Sequence, residues 1–296
     1  MLSATTAIIP DVVPEHQRGL VSGIVGLGIP LSLLLGSILV GTLIRGSRSS
    51  YTAIIIVMLA LVTPFLLTER EPVLATGQQL PRRSVRDLWR GFWISPRHHR
   101  DFALAWITRF LVVLGYALGV ESFLFLYVQH VLHYQLLFPG HAVKEGVAIL
   151  LVIATSVLLP VAIVAGVLSD RMQRRKVFVT TASLLIAVGL ALLGFFHSWT
   201  MAEVAAVVLG LGFGAYVAVD SALITQVLPS PATRGKDLGI INIANALPDV
   251  IAPPLAAVLI NLYGQDSPTG YRLLFTLAAL LMLVSAILVR GIKSVA

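Results

Sequence analysis

The feature that most constrains this chain is a series of long apolar runs separated by short polar turns. The run over residues 19–44 contains no charged side chain. A helix needs about 20 consecutive apolar residues to cross the hydrocarbon core of a bilayer. Seven further runs approach or exceed this length: 51–67, 102–128, 146–168, 177–197, 202–228, 238–263 and 271–290. The sequence therefore predicts an all-α membrane protein with eight full transmembrane helices, preceded by a shorter apolar stub.

Composition excludes several other classes of protein. The chain is 57% hydrophobic and 12% charged, with a mean hydropathy of +0.91, whereas soluble domains are about 25% charged. The net charge of +7 comes from basic residues in the gaps between apolar runs. Nucleic-acid binders instead cluster such residues on one soluble face, so no nucleic-acid partner is expected. The absence of cysteine rules out disulfides and thiolate chemistry.

One basic turn fixes the predicted orientation. Residues 166–176 lie between two spans and place Arg171, Arg174, Arg175 and Lys176 directly after Asp170. Turns rich in arginine and lysine remain in the cytoplasm. If this turn is cytoplasmic, sixteen of the 21 basic residues lie on that side, four lie outside and Arg109 lies within a span. The predicted location is the cell membrane, with the turn and the polar segment 68–101 in the cytoplasm.

The same turn carries a family resemblance. Gly166, Leu168, Asp170, Arg171, Arg174 and Arg175 match the Gly-x-Leu-x-Asp-Arg-x-Gly-Arg-Arg motif in register, with Gln173 at the usual glycine. The turn thus resembles that of the major facilitator superfamily of secondary transporters, although an ordinary positive-inside loop is the alternative interpretation. The resemblance implies two six-helix halves that rock about a central cavity. It also implies that this sequence starts within helix four and lacks the first three helices.

A short internal repeat agrees with this architecture. Arg18 and Gly19 open one span, with Gly23 four residues further on, and Arg234, Gly235 and Gly239 repeat the pattern. Parallel repeats are a feature of such transporters. The expected division is a remnant of the N-terminal half at 1–67, a linker at 68–101 and a six-helix C-terminal half at 102–296. Within the linker, residues 88–93 resemble a helix lying in the membrane interface, and a disordered linker is the alternative.

The resemblance also implies a role for Asp170 in a cytoplasmic gate. In the family this carboxylate lies against the start of a helix from the other half, where unpaired N–H groups stabilise an anion. The partner expected here is the start of the first span, at residues 18–23. This contact would hold the two halves together and would break when they rock.

Two charges inside spans are candidates for the transport site. Arg109 and Asp220 each lie about eight residues from the predicted cytoplasmic end of antiparallel spans, so both are expected at a similar depth and are expected to pair. The pair either lines a cavity that binds substrate or exchanges a proton, or it holds two helices together. The two positions are similar to an arginine and an aspartate of sugar-transporter-like members of the superfamily.

Further polar residues in the spans complete the predicted site. Glu121 is a candidate proton carrier, or it faces outside water. Asn242, Asn245 and Asp249 lie on a span rich in proline, where freed carbonyls and polar side chains can line a cavity. This span is similar to the eleventh helix of sucrose- and glycoside-type transporters, with Asp249 in place of a glutamine.

Aromatic and histidine side chains receive weaker assignments. Tyr116 and Tyr216 could stack on a sugar ring, or they could be packing residues. His130, His133 and His141 lie in one outer loop without a carboxylate pattern, so no metal site is predicted. No motif of an ATPase or hydrolase is present, and neither a cofactor nor enzymatic activity is expected.

The sequence therefore favours a proton- or cation-coupled permease for a small polar solute, with a sugar-like solute preferred. An exporter of amphipathic drugs with the same fold is one alternative. A truncated membrane protein without transport activity, such as a partner-binding subunit, is another.

Overall fold

The computed structural model describes residues 28, 32, 35, 36, 47–68, 99–172, 174–227 and 234–293. Within these ranges the chain is helical apart from short turns, and no strand occurs among them. Nine α-helices of four residues or more follow one another there: α1 Ser47–Thr68, α2 Arg100–Tyr116, α3 Leu124–His130, α4 Tyr134–Leu137, α5 Val143–Met172, α6 Arg175–Phe195, α7 Trp199–Val227, α8 Arg234–Tyr263 and α9 Pro268–Leu288. The predicted all-α architecture is confirmed.

Six segments are long and apolar enough to cross a membrane, with mean hydropathies between 1.7 and 2.9. They are Arg100–His130, Val143–Ser169, Arg175–Phe195, Trp199–Asp220, Gly239–Tyr263 and Pro268–Gly291. They coincide with the last six predicted spans to within three residues at each end, except that Trp199–Asp220 ends eight residues before the predicted end at 228. The span predicted at 51–67 lies within α1, whose apolar stretch is Tyr51–Pro64. Most of the span predicted at 19–44, and most of the linker, lie outside the described residues.

The first of these six spans is not a continuous α-helix. After α2 ends at Tyr116, a π-helical turn over Ala117–Glu121 inserts an extra residue, and α3 begins only at Leu124. A π-turn shifts the direction in which the following side chains point, and such turns occur often at functional sites. The predicted linker ended at residue 101, whereas α2 begins at Arg100.

Helix α7 lies between α5 and α6, and glycine makes both approaches possible. A Cβ atom at Gly214 would lie 2.6 Å from the Leu158 carbonyl oxygen of α5. On another face of α7, a Cβ atom at Gly212 would lie 2.7 Å from the Ile186 side chain of α6. Small residues at such positions allow membrane helices to pack with their backbones in close contact. These close contacts fix the position of the C-terminal half of α7, which carries Tyr216 and Asp220.

Three contacts show which helix ends lie on the same side of the bundle. The Lys176 ammonium donates to the Ile292 carbonyl, which joins the start of α6 to the end of α9. The Trp106 indole joins the first half of α2 to the start of α8. At the other side the Tyr127 hydroxyl donates to the Leu193 carbonyl. The first side, here called the basic end, includes Arg100, Arg171, Arg174, Arg175, Lys176, Lys236, Arg290 and Lys293.

Candidate functional site

The charged centre of the bundle lies where α2, α7 and α8 meet. The Arg109 guanidinium is 2.7 Å from an Asp220 carboxylate oxygen, and its Nε donates a hydrogen bond of 2.6 Å to the Asn245 side-chain oxygen. The Arg109 and Asp220 side chains are 18% and 9% exposed, respectively. The predicted pairing of Arg109 with Asp220 therefore occurs. The amide of Asn245 is a third partner, and three separate helices supply the three groups.

Contacts on both sides of α2 hold Arg109 in place. Trp106, almost one turn before it, donates its indole N–H to the Ile240 carbonyl of α8 at 2.8 Å and stacks on Phe110. The Ser285 hydroxyl of α9 donates to the Thr108 carbonyl at 3.1 Å. These long-range hydrogen bonds fix the rotation of α2 between its two neighbours. A charged pair inside a bundle is tolerated only when its geometry is good and its remaining hydrogen-bonding capacity is used.

An aromatic stack extends from this centre toward the other end of the bundle. Tyr216 lies one helical turn before Asp220, with its hydroxyl close to the carboxylate. The Tyr116 and Phe213 rings are parallel, with centroids 4.0 Å apart and planes inclined by 11°. Phe213 also stacks on Tyr216, at 6.1 Å. Tyr116 and Tyr216 are buried, at 8% and 4% exposure. Because Phe213 stacks on Tyr116, it occupies one ring face that a sugar could otherwise use.

The polar residues of α8 form a row on one helix face. Asn242, Asn245 and Asp249 are spaced three and four residues apart, which places them on the same side of a helix. The two asparagines are half-buried and Asp249 is exposed. Glu121, at the end of the π-turn, is also exposed and lies within electrostatic range of Asp249. The π-turn and α8 thus bring two carboxylates within electrostatic range of each other.

The predicted gate residues lie at the basic end. Gly166 of α5 lies close to α7, since a Cβ atom there would be 3.8 Å from the Ala218 side chain. Arg171 and Arg174 are exposed, and Arg175 is half-buried at the start of α6. The Asp170 side chain and residues 18–23 lie outside the described part of the chain. The expected latch between them remains a prediction.

Two of the three loop histidines pair with carboxylates rather than with one another. His130 Nδ1 is 2.6 Å from Asp266, in the turn between α8 and α9, and His141 Nδ1 is 2.8 Å from Glu145. His133 has a left-handed backbone, with φ of 49°, and precedes α4. Among the described residues, no three His, Asp or Glu side chains are grouped as metal ligands would be.

Sequence reasoning missed two members of this region. Phe213 is one of many apolar residues on α7, and nothing in its spacing distinguishes it from ordinary packing. The π-turn carries no proline that would predict it, although Gly115 lies just before it and Gly119 lies within it.

A small apolar cavity of about 20 Å³ lies beside Tyr116 and Val120, which is room for about one water molecule.

The six membrane-length segments in the described part of the chain, with a charge pair buried between two of them, define a multi-pass membrane protein. The family model described as Major Facilitator Superfamily matches residues 1–160 and 140–294. The chain therefore belongs to the major facilitator superfamily, whose members are membrane transporters.

The chain is also similar, over part of its length, to one curated transporter. Over 125 residues the chain is 32% identical to Myo-inositol transporter 3C of Cryptococcus neoformans var. grubii serotype A. The alignment covers 42% of this chain and 20% of that protein. The chain thus matches only about a fifth of the length of this relative.

Proposed function

We propose that the protein works as a secondary active transporter of a small polyhydroxylated solute, driven by a proton or another cation and operating by alternating access. The observation that carries this proposal is the cluster of Arg109, Asp220 and Asn245, which joins three helices inside the bundle. A cluster of this kind is costly in a membrane. Binding of a polar solute is a function that offsets the cost.

The hydrogen-bonding chemistry of the cluster suits hydroxyl groups. A guanidinium only donates, an ionised carboxylate only accepts, and an amide does both. A sugar hydroxyl can therefore accept from Arg109 while donating to Asp220, and a neighbouring hydroxyl can bind the Asn245 amide. The similarity to a protein named as a myo-inositol transporter supports a cyclic polyol or a monosaccharide as the solute.

The carboxylates Glu121 and Asp249 are the proposed coupling site. They lie within electrostatic range and repel each other while both are charged. Protonation of one of them, or capture of a cation between them, removes the repulsion. Because Asp249 shares α8 with Asn245, occupancy of this pair alters the helix that also contacts the solute.

The ion pair also links solute binding to the position of two helices within the predicted C-terminal half. Substrate hydroxyls that replace the direct contact between Arg109 and Asp220 weaken the link between α2 and α7. The two helices can then shift relative to each other only while solute occupies the site. Tight coupling of solute movement to conformational change requires such a difference between the empty and loaded states.

The proposal is tested by uptake into proteoliposomes that contain the purified protein. Radiolabelled myo-inositol, glucose and sucrose are supplied with an inward proton gradient, an inward sodium gradient or no gradient. We expect gradient-driven accumulation of at least one of these solutes. Asp266→Asn, at an outer side chain that is 84% exposed, serves as a control and keeps wild-type uptake.

The same vesicles discriminate the alternatives. Export of a dye such as ethidium, without uptake of any polyol, would support a drug exporter of the same fold. Absence of both activities in well-folded protein would support the interpretation of a membrane protein that does not transport.

A further inference from the structure

A basic groove opens on the surface of the bundle between the start of α6 and the end of α9. Its volume is about 430 Å³, and it is lined by Lys176, Val177, Thr180, Thr181, Leu184 and Arg290. Two cations and two hydroxyl side chains therefore face one cavity, and none of its lining residues is acidic. None of the lining residues belongs to the cluster of Arg109, Asp220 and Asn245 or to the predicted gate motif.

The cations in the groove retain hydrogen-bonding capacity. The Lys176 ammonium donates one hydrogen bond, of 2.9 Å, to the Ile292 carbonyl. An ammonium has three donor hydrogens, so two remain for a ligand. Arg290 is exposed, and no carboxylate within the described ranges pairs with it. Arg174 and Lys293, exposed at the same end, add positive charge around the groove.

The walls above the cations are apolar and exposed. Val177 and Leu184 of α6 are 53% and 40% exposed, and Thr181 lies between them on the same helix face. On α9, Leu280, Val284 and Ile287 form a similar exposed row that leads toward Arg290. In a membrane protein such rows contact acyl chains. The groove thus combines a cationic end at the depth of headgroups with apolar walls that continue into the hydrocarbon.

We propose that this groove is a binding site for an anionic phospholipid. The phosphate would lie between Lys176 and Arg290, with Thr180 and Thr181 as additional hydrogen-bond donors, and the acyl chains would lie along α6 and α9. Charge complementarity selects an anionic headgroup, since basic pockets between membrane helices bind such headgroups. A bound lipid would link the ends of α6 and α9, which the Lys176–Ile292 contact already brings together.

Delipidated protein in detergent, titrated with dioleoyl-phosphatidylglycerol or dioleoyl-phosphatidylcholine, tests the proposal by native mass spectrometry. We expect the wild-type protein to bind phosphatidylglycerol more tightly than phosphatidylcholine. The double variant K176Q/R290Q should bind it roughly 25-fold more weakly, at about fivefold for each basic residue near an anionic headgroup. R290Q alone keeps the Ile292 contact and should lose about fivefold, which guards against misfolding of the double variant.

The matched control is R100Q/R171Q, which removes two exposed arginines from the same end but outside the groove. It should retain the wild-type preference for phosphatidylglycerol. Equal loss in this control would overturn the proposal, because the effect would then be general surface charge. Undiminished binding by K176Q/R290Q would also contradict it and would indicate that another part of the protein covers the groove. If inorganic phosphate binds the protein as tightly as phosphatidylglycerol does, the groove is a site for free anions instead.

Discussion

Arg109 of α2 and Asp220 of α7 form an ion pair of 2.7 Å in the interior of the bundle, although 111 positions of sequence separate them. A third helix joins the pair through Asn245. The arrangement leaves each charged group with a partner while keeping both groups more than four-fifths buried. The cost of breaking the pair and its value for transport can be measured separately.

Neutralising one partner should be worse for stability than neutralising both. Asp220→Asn leaves the Arg109 charge buried without its counter-ion, and loss of one partner of a buried pair costs about 3–5 kcal/mol. R109Q/D220N leaves no uncompensated charge, so its loss of stability should be clearly smaller. Thermal unfolding in detergent compares the two variants. An equal decrease in Tm for both would show that the uncompensated charge is not the source of the cost.

Close packing of α7 on α5 should make Gly214 intolerant of larger side chains. Gly214→Leu forces atoms into the backbone of α5, where even a Cβ atom would lie 2.6 Å from the Leu158 oxygen. Overpacking typically costs about 1–3 kcal/mol, and this site is bounded by backbone that cannot rotate away. Gly239→Ala is the control, because no atom of the described residues lies within 4 Å of its Cβ position. The first variant should unfold at a lower temperature and the second should not.

A pH dependence of stability follows from His197, in the turn between α6 and α7. Burial lowers its pKa below the ordinary value of 6.5, and the neighbouring Arg272 charge lowers that pKa further. The folded protein therefore binds a proton at His197 less readily than the unfolded chain does. Stability from this residue is present above about pH 6.5 and is lost as the pH falls through the lowered value.

The measurement for His197 is a difference between two proteins. His197→Gln should show a smaller loss of Tm than wild type between about pH 7 and pH 5. The difference removes the contributions of the other titrating groups, which the two proteins share. Identical pH profiles would show that His197 is as free to protonate in the folded protein as in the unfolded chain.

Coupling should depend on Glu121 in a way that solute exchange does not. Under the proposed function, Glu121→Gln removes the repulsion with Asp249 permanently, so the ion gradient has nothing left to act on. Gradient-driven accumulation should fall to the level reached without a gradient, because the ion can no longer change the charge at this position. Exchange of solute across vesicles without a gradient should continue. Normal gradient-driven uptake by this variant would remove Glu121 from the coupling mechanism.

The prediction from sequence succeeded where helix geometry alone decides the outcome. Apolar length defined the last six spans, and the rise per residue placed Arg109 and Asp220 at a common depth, which was enough to predict their contact. It could not supply Asn245 as a partner of Arg109, because the rotation of α8 is fixed by tertiary contacts such as the Trp106 hydrogen bond to Ile240.

Other features depend on packing that no local pattern expresses. The π-turn at Ala117–Glu121 has an ordinary apolar sequence. The sequence therefore does not predict how the turn changes the direction in which Glu121 points. Phe213 contacts both site tyrosines because α7 lies close to α2, which cannot be read from either helix separately. The groove between α6 and α9 likewise combines Lys176 and Arg290, which lie 114 positions apart in the sequence.

The central claim is that Arg109 and Asp220 bind the transported solute rather than only holding two helices together. Solute counterflow in proteoliposomes tests it most directly, with radiolabelled myo-inositol and the double variant R109Q/D220N. The account predicts that this variant remains folded but exchanges solute roughly 100-fold more slowly than wild type, because two charge-assisted hydrogen bonds to solute are lost. Exchange at the wild-type rate by the folded double variant would contradict it and would make the ion pair a static link between α2 and α7.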